Sequence, residues 1–178
     1  MLLAGAVDIW RLRVIDEDEA LDALAHEAGA ALAQAGWRLT TAESCTGGWV
    51  AQCVTAVAGS SGWFERGFVV YSNEAKTELL EVNPGLIAQH GAVSEAVVCA
   101  MTAGALRHSR ADLALAVSGI AGPGGGTPEK PVGTVWLAWQ CREGECRARC
   151  FNFEGDRRAV RRQAVVMALQ GVIDACRA

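Results

Sequence analysis

Residues 112–126 read DLALAVSGIAGPGGG, and the fold of the chain turns on this stretch. Asp112 to Val117 is short and aliphatic, the pattern of a strand covered on both faces. It runs directly into Ser118-Gly119-Ile120-Ala121-Gly122-Pro123-Gly124-Gly125-Gly126, the one low-complexity segment. In open α/β sheets, ligands gather beyond the carboxyl ends of the strands, so such a strand-to-loop junction marks a candidate site.

Both flanks alternate helix and strand patterns. Upstream, Asp16 and Asp18 are placed to cap a helix with Leu21, Leu24, Ala25, Ala28, Leu32 and Ala35 on one face, and Gly36 stops it. A strand over Trp37 to Ala42 leads into Glu43-Ser44-Cys45-Thr46-Gly47-Gly48, and a helix follows to about Val57. Glu65 to Tyr71 reads as a further strand. Ser72 and Asn73 then cap a helix carrying Glu74, Lys76 and Leu79, and Ser94 opens a longer one to about His108. Downstream, Val132 to Gln140 and Cys146 to Phe153 form a hairpin. A last helix starts near Asp156 with Val160, Ala164, Val165, Ala168, Leu169 and Val172 inward. Strands alternating with helices define an α/β layer fold, and the hairpin makes its sheet mixed.

Composition narrows the function. The chain has 178 residues, 51% of them hydrophobic and 20% charged, enough to fill the core of one domain. A net charge of −4 lacks the basic footprint of a nucleic-acid binder. No apolar run approaches the roughly 18 residues that span a bilayer, and the N-terminal stretch has no basic lead-in of the secretory kind. A cytoplasmic protein is expected. The seven cysteines are odd in number and sit mostly in apolar periodic stretches (Cys53, Cys99, Cys176), which reads as reduced, buried thiols. Cys141, Cys146 and Cys150 have neither a CxxC pair nor a nearby histidine, so they read as part of a hairpin rather than a metal site.

Three strand ends hold the candidate chemistry: AESCTGG, YSNEAK and SGIAGPGGG. Ser44 lies on a strand-to-helix turn whose following amides, at Thr46, Gly47 and Gly48, lack intrahelical partners. Two readings fit. Ser44 is a nucleophile with those amides facing a developing oxyanion, or Ser44 or Thr46 simply caps the helix. Lys76 is one of only two lysines, against fourteen arginines. An amine can be deprotonated where a guanidinium cannot; bringing it from about 10.4 to about 7–8 requires roughly 4 kcal/mol of desolvation or charge repulsion. Tyr71, the one tyrosine, either orients that amine or is an ordinary strand residue with a wet tip. His26, His90 and His108 fall on or near helices and form no serine–histidine pattern. The 118–126 loop presents either consecutive amides to an anion or a flexible crossover, and it matches neither the P-loop nor the dinucleotide fingerprint. Of Arg157, Arg158, Arg161 and Arg162, one is expected to reach the site.

AESCTGG (42–48), GSSGWFERGFVVYSNEAK (59–76), QHGAVSE (89–95), SGIAGPGGG (118–126) and KPVGTVW (130–136) together resemble the CinA C-terminal family. Within it, the chain is similar to the stand-alone nicotinamide-nucleotide amidohydrolases. The resemblance covers about residues 20–176, leaving 1–15 as an N-terminal extension and 16–178 as one domain. It implies a three-layer α/β/α sandwich with a mixed, mostly parallel sheet. It also implies hydrolysis of the carboxamide of nicotinamide mononucleotide (NMN) to nicotinate mononucleotide and ammonia, in pyridine-nucleotide salvage. By motif, Ser44 is the nucleophile, Lys76 the base and Tyr71 a helper, with oxyanion donors at Thr46 and Gly47. Gly48, Ser118, Gly119, Gly122, Gly124, Gly125 and Arg157 are expected to line the nucleotide. No metal or cofactor is required; the partner is the substrate, with no nucleic acid or membrane, in a homo-oligomer. The alternatives are another small or nucleotide-like amide as substrate, and a non-catalytic nucleotide-binding regulatory module.

Overall fold

The computed structural model describes residues 17–178. The expected extension 1–15, the cap residue Asp16 and the side chain of Asp18 lie outside the described residues. In chain order the elements are α1 (Glu17–Ala35), β1 (Leu39–Glu43), α2 (Trp49–Ala56), β2 (Phe64–Val69) and α3 (Asn73–Leu80). They continue with α4 (Pro84–His90), α5 (Glu95–Arg107), β3 (Leu113–Gly119), β4 (Thr134–Cys141), β5 (Arg147–Asn152) and α6 (Arg157–Arg177). One five-stranded sheet has the order β2-β1-β3-β4-β5. β1 pairs in parallel with β2 and β3, and the β4–β5 hairpin adds two antiparallel pairings.

The period of two along β3 explains the layers. Leu113, Leu115 and Val117 face a core shared with α1, α2 and α6. Ala114 and Ala116 face the opposite core, built with α3, α4 and α5. Alanine on that face leaves room for α5 to lie close to the sheet. The result is the expected α/β/α sandwich. Three helix starts follow the sequence signals: Ser72, Ser94 and Asp156 accept from the amides of Ala75, Val97 and Ala159.

Two features depart from the sequence expectation. The segment before α5 contains α4, capped by Asn83 with Pro84 in its first turn; it is too short for its periodicity to stand out. The second departure concerns the cysteines. Cys99 of α5 and Cys146, just ahead of β5, form a disulfide, while Cys45, Cys53, Cys141, Cys150 and Cys176 are free. The two partners are 47 residues apart and meet only because α5 packs across the hairpin. Reduced cysteine throughout is therefore incorrect, and that argument for a cytoplasmic location loses one pair. Among the described residues, no helix is long and apolar enough to cross a membrane.

Gly104 of α5 sits against Leu80 at the end of α3, where a Cβ would collide with the Leu80 carbonyl and Cβ. Gly104→Ala should therefore lower the urea midpoint. The overpacking costs about 1–3 kcal/mol, near the upper end because the obstacle is backbone, against roughly 1 kcal/mol of helix propensity gained.

Candidate functional site

Sheet register brings the three strand ends together. Glu43, the last residue of β1, stands opposite Val69 of β2 and Val117 of β3. Just beyond that rung the Ser44 amide donates to the Val117 carbonyl (3.0 Å), and the Val70 amide donates to the Glu43 carbonyl (2.8 Å). Ser44, the Val70–Ser72 segment and Ser118 thus share the carboxyl edge of the sheet.

Glu43 settles how α2 begins. Its side chain is 0% exposed. One carboxylate oxygen accepts from the amides of Gly48 and Val50 (both 3.0 Å), and the other accepts from Ala51 (2.8 Å). Gly48, in the N-cap position with φ +92°, supplies no side-chain cap of its own. The carboxylate thus does for α2 what Ser72, Asn83, Ser94 and Asp156 do for α3, α4, α5 and α6, and it sits at the positive end of the helix. The reading in which Ser44 or Thr46 caps α2 is replaced by Glu43, which leaves the Ser44 hydroxyl for other work.

That hydroxyl faces Lys76. The amine of Lys76 lies 3.2 Å from Ser44 Oγ and donates to the carbonyls of Val70 (2.9 Å), Tyr71 (3.2 Å) and Ser72 (3.4 Å). Lys76 is 1% exposed and Ser44 9%. A residue in the first turn of α3 points its side chain back toward the helix start, which is where these carbonyls lie. Burial holds the amine below the ordinary lysine range, while Cys45 and Glu74 pull it the other way. The adjacent Cys45 thiol turns into the core shared with α1, α2 and α6. Burial pushes that thiol up to about 11, so it stays protonated.

The other predicted residues fall in distinct places. Tyr71 is exposed, and its main-chain carbonyl, not its hydroxyl, meets Lys76. The hydroxyl accepts from Arg157 Nη2 (3.0 Å), whose Nη1 donates to the Gly122 carbonyl (2.8 Å). Arg157 therefore bridges the Tyr71 segment and the glycine loop. The Gly47 amide donates to the Ser44 carbonyl (3.0 Å), and the Gly48 amide is held by Glu43, so both are committed within the fold. Thr46 is fully buried, its hydroxyl has no hydrogen-bond partner, and among the described residues no backbone carbonyl accepts from its amide. The Ser118 hydroxyl donates to the Ala92 carbonyl (2.8 Å), tying β3 to the segment ahead of α5. Gly119 packs against Thr134 and Val135 of β4. Gly122 and Gly125 have φ of +82° and +88°, conformations glycine adopts freely, and Gly124 and Gly125 are exposed.

Sequence reasoning gave no site role to Glu43 or Lys130, and of the four arginines opening α6 two, Arg157 and Arg161, reach the site where one was expected. Glu43 carried a signal, a carboxylate at a strand end five residues before a helix start. Arg161 lies one helical turn beyond Arg157, a spacing that puts both on one face of α6. It donates to the carbonyls of Cys45 (3.0 Å) and Thr46 (2.8 Å). Lys130, whose amine donates to the carbonyls of His90 and Val93, secures the glycine loop to the segment before α5. Among the described residues no cluster of histidine, cysteine or acidic side chains is arranged to hold a metal.

This sandwich, with its motifs gathered at one sheet edge, defines a known class. The chain belongs to the CinA C-terminal domain family, which matches residues 21–176. It is 58% identical over 153 residues to the nicotinamide-nucleotide amidohydrolase PncC of Escherichia coli K12, covering 86% of this chain and 93% of that protein. It is 56% identical over 140 residues to the protein of that name from Pseudomonas putida, covering 76% and 84%. The crystal structure of the competence/damage inducible protein CihA from Agrobacterium tumefaciens superposes with a TM-score of 0.86 at 40% identity, covering 94% of this chain and all of that one.

Glu43→Ala strands the amides of Gly48, Val50 and Ala51 and should cost about 2–4 kcal/mol in urea unfolding. Glu43→Gln keeps one acceptor oxygen but turns an NH₂ toward amide donors, so it should fall between the two. A loss below about 1 kcal/mol in the alanine variant contradicts the capping role.

Proposed function

We propose that this protein hydrolyses the carboxamide of NMN, releasing ammonia and nicotinate mononucleotide, with Ser44 as nucleophile and Lys76 as general base. The observation that carries the reading is the 3.2 Å approach of a buried, charge-disfavoured amine to a serine hydroxyl at the sheet edge. The PncC relatives supply the substrate class.

Neutral Lys76 has two N–H groups and one lone pair. With the N–H groups directed to main-chain carbonyls, the lone pair is left for the Ser44 proton. As Ser44 Oγ attacks the amide carbon, that proton moves to Lys76. In the resulting ammonium two N–H groups stay on main-chain carbonyls and the third, on the former lone-pair side, faces the reacting centre. The protonated amine then gives its proton to the departing ammonia as the C–N bond breaks, leaving an ester on Ser44. Water, deprotonated by the same amine, hydrolyses that ester. The uncommitted Thr46 amide takes the oxyanion. The nucleotide portion extends toward the 119–126 loop and Arg157, the cation nearest Tyr71. The enzyme acts in the cytoplasm, in pyridine-nucleotide salvage.

Cys45 offers a cysteine route that the geometry disfavours, since its thiol is buried in the core and held protonated.

Ammonia release from NMN is the direct test. Ser44→Ala should reduce it to background, and Lys76→Arg should lower kcat by about 10²–10⁴-fold. Retention of turnover by either variant contradicts the role assigned to that residue. In the wild-type enzyme kcat/KM should rise with pH as Lys76 loses its proton, with an inflection below the ordinary lysine value of about 10.4; the limb is absent from Lys76→Arg.

Cys45→Ala should retain ammonia release within about tenfold of wild type, since the change removes packing and not the attacking atom. Loss of turnover with an intact fold would move the nucleophile to the thiol.

A further inference from the structure

We infer that Arg161 is a positioning residue for catalysis: from α6 it orients the peptide groups after Ser44 so that the Thr46 amide is presented to the oxyanion. The inference rests on the Ser44 reading above and extends it to a side chain that need not touch substrate.

Arg161 is part-buried in the second turn of α6. Its Nε donates to the Cys45 carbonyl (3.0 Å) and its Nη2 to the Thr46 carbonyl (2.8 Å), across 116 and 115 residues of sequence. Its guanidinium carbon lies 5.3 Å from the centre of the Trp49 ring, over the face of the first residue of α2. The cation is therefore fixed by two charge-assisted hydrogen bonds and an aromatic surface.

In a trans peptide the carbonyl and the following N–H point in opposite directions. The Cys45 and Thr46 carbonyls both face Arg161, so the amides of Thr46 and Gly47 both face away from it. The Gly47 amide shows where that is, since it donates to the Ser44 carbonyl (3.0 Å). The Thr46 amide likewise points away from Arg161.

Most of the neighbouring amides are already committed. Gly48, Val50 and Ala51 are held by Glu43, and Trp49 donates to the Thr46 carbonyl (3.3 Å). The Cys45 amide also has no acceptor among the described residues, but its peptide carbonyl, that of Ser44, is held by Gly47 and not by Arg161. Among the described residues the Thr46 amide has no acceptor, although Thr46 is fully buried. An unpaired buried donor carries a free-energy penalty in the resting fold. Next to a nucleophile it acquires a partner when negative charge develops, and a dry surrounding is where such a bond counts most.

The test uses the full-length protein, NMN and the variants Arg161→Met and Arg161→Lys, with kcat, KM, thermal midpoint and pH profile recorded for each. Arg161→Met should lower kcat by about 10²–10³-fold, the loss seen on removing one oxyanion donor, with KM within about threefold of wild type. The acid limb of kcat/KM should stay in place, because Arg161 acts on the turn and not on Lys76. Arg161→Lys reaches one carbonyl, so its kcat should fall between the two. Methylguanidine added to Arg161→Met should restore part of the lost kcat. Should the methionine variant fail to fold, the lysine variant decides by the same split. The inference is overturned by a folded variant with near wild-type kcat, by a loss confined to KM, or by a shifted acid limb. Full activity in Ser44→Ala would instead overturn the nucleophile assignment, leaving the two failures distinguishable.

Discussion

A carboxylate closed off from water and bonded to three main-chain amides holds the working end of this molecule. Glu43 satisfies Gly48, Val50 and Ala51 through two separate oxygens. Because it is also the last residue of β1, pinned between β2 and β3, it ties the start of α2 to the sheet. The residues between, 44 to 47, become a short bridge between two fixed points. A serine in a free loop would sample many positions, whereas this one has few. Capping from the strand also relieves the turn residues of a task they perform elsewhere in the chain.

Lys76 presents the complementary problem. A buried amine is costly when charged, and no carboxylate lies within hydrogen-bond distance of it among the bonds described. Main-chain carbonyls take that place. In the proposed reaction they offer polarity toward the added charge, yet lack the full countercharge that would favour the protonated amine more strongly. This balance suits a group that gains and loses a proton in each cycle. It also explains why the carbonyl of Tyr71 matters at this point while its ring lies outside.

Much of this was legible in the amino-acid order. The DLALAV strand, the caps at Ser72, Ser94 and Asp156, and the hairpin all follow from local rules, because each depends on residues within a few positions of one another. The meeting of Ser44 with Lys76 followed from topology, as parallel strands deliver their carboxyl ends to one edge. What escaped was of two kinds. The Cys99–Cys146 bond and the reach of Arg161 to Cys45 and Thr46 are contacts over 47 and about 115 residues, invisible to any periodicity. The role of Glu43 was local but unusual, since helix caps are sought one residue before a helix and not at the end of the preceding strand.

The distribution of the site along the chain has a consequence for its synthesis. Ser44 and Lys76 belong to the first half of the polypeptide, whereas Arg157 and Arg161 arrive with the final helix. A ribosome releases the N-terminal half long before that helix is made. Nascent or prematurely terminated chains ending ahead of residue 157 thus carry the reactive pair without either arginine, and an immature polypeptide lacks the groups that complete the assembled centre.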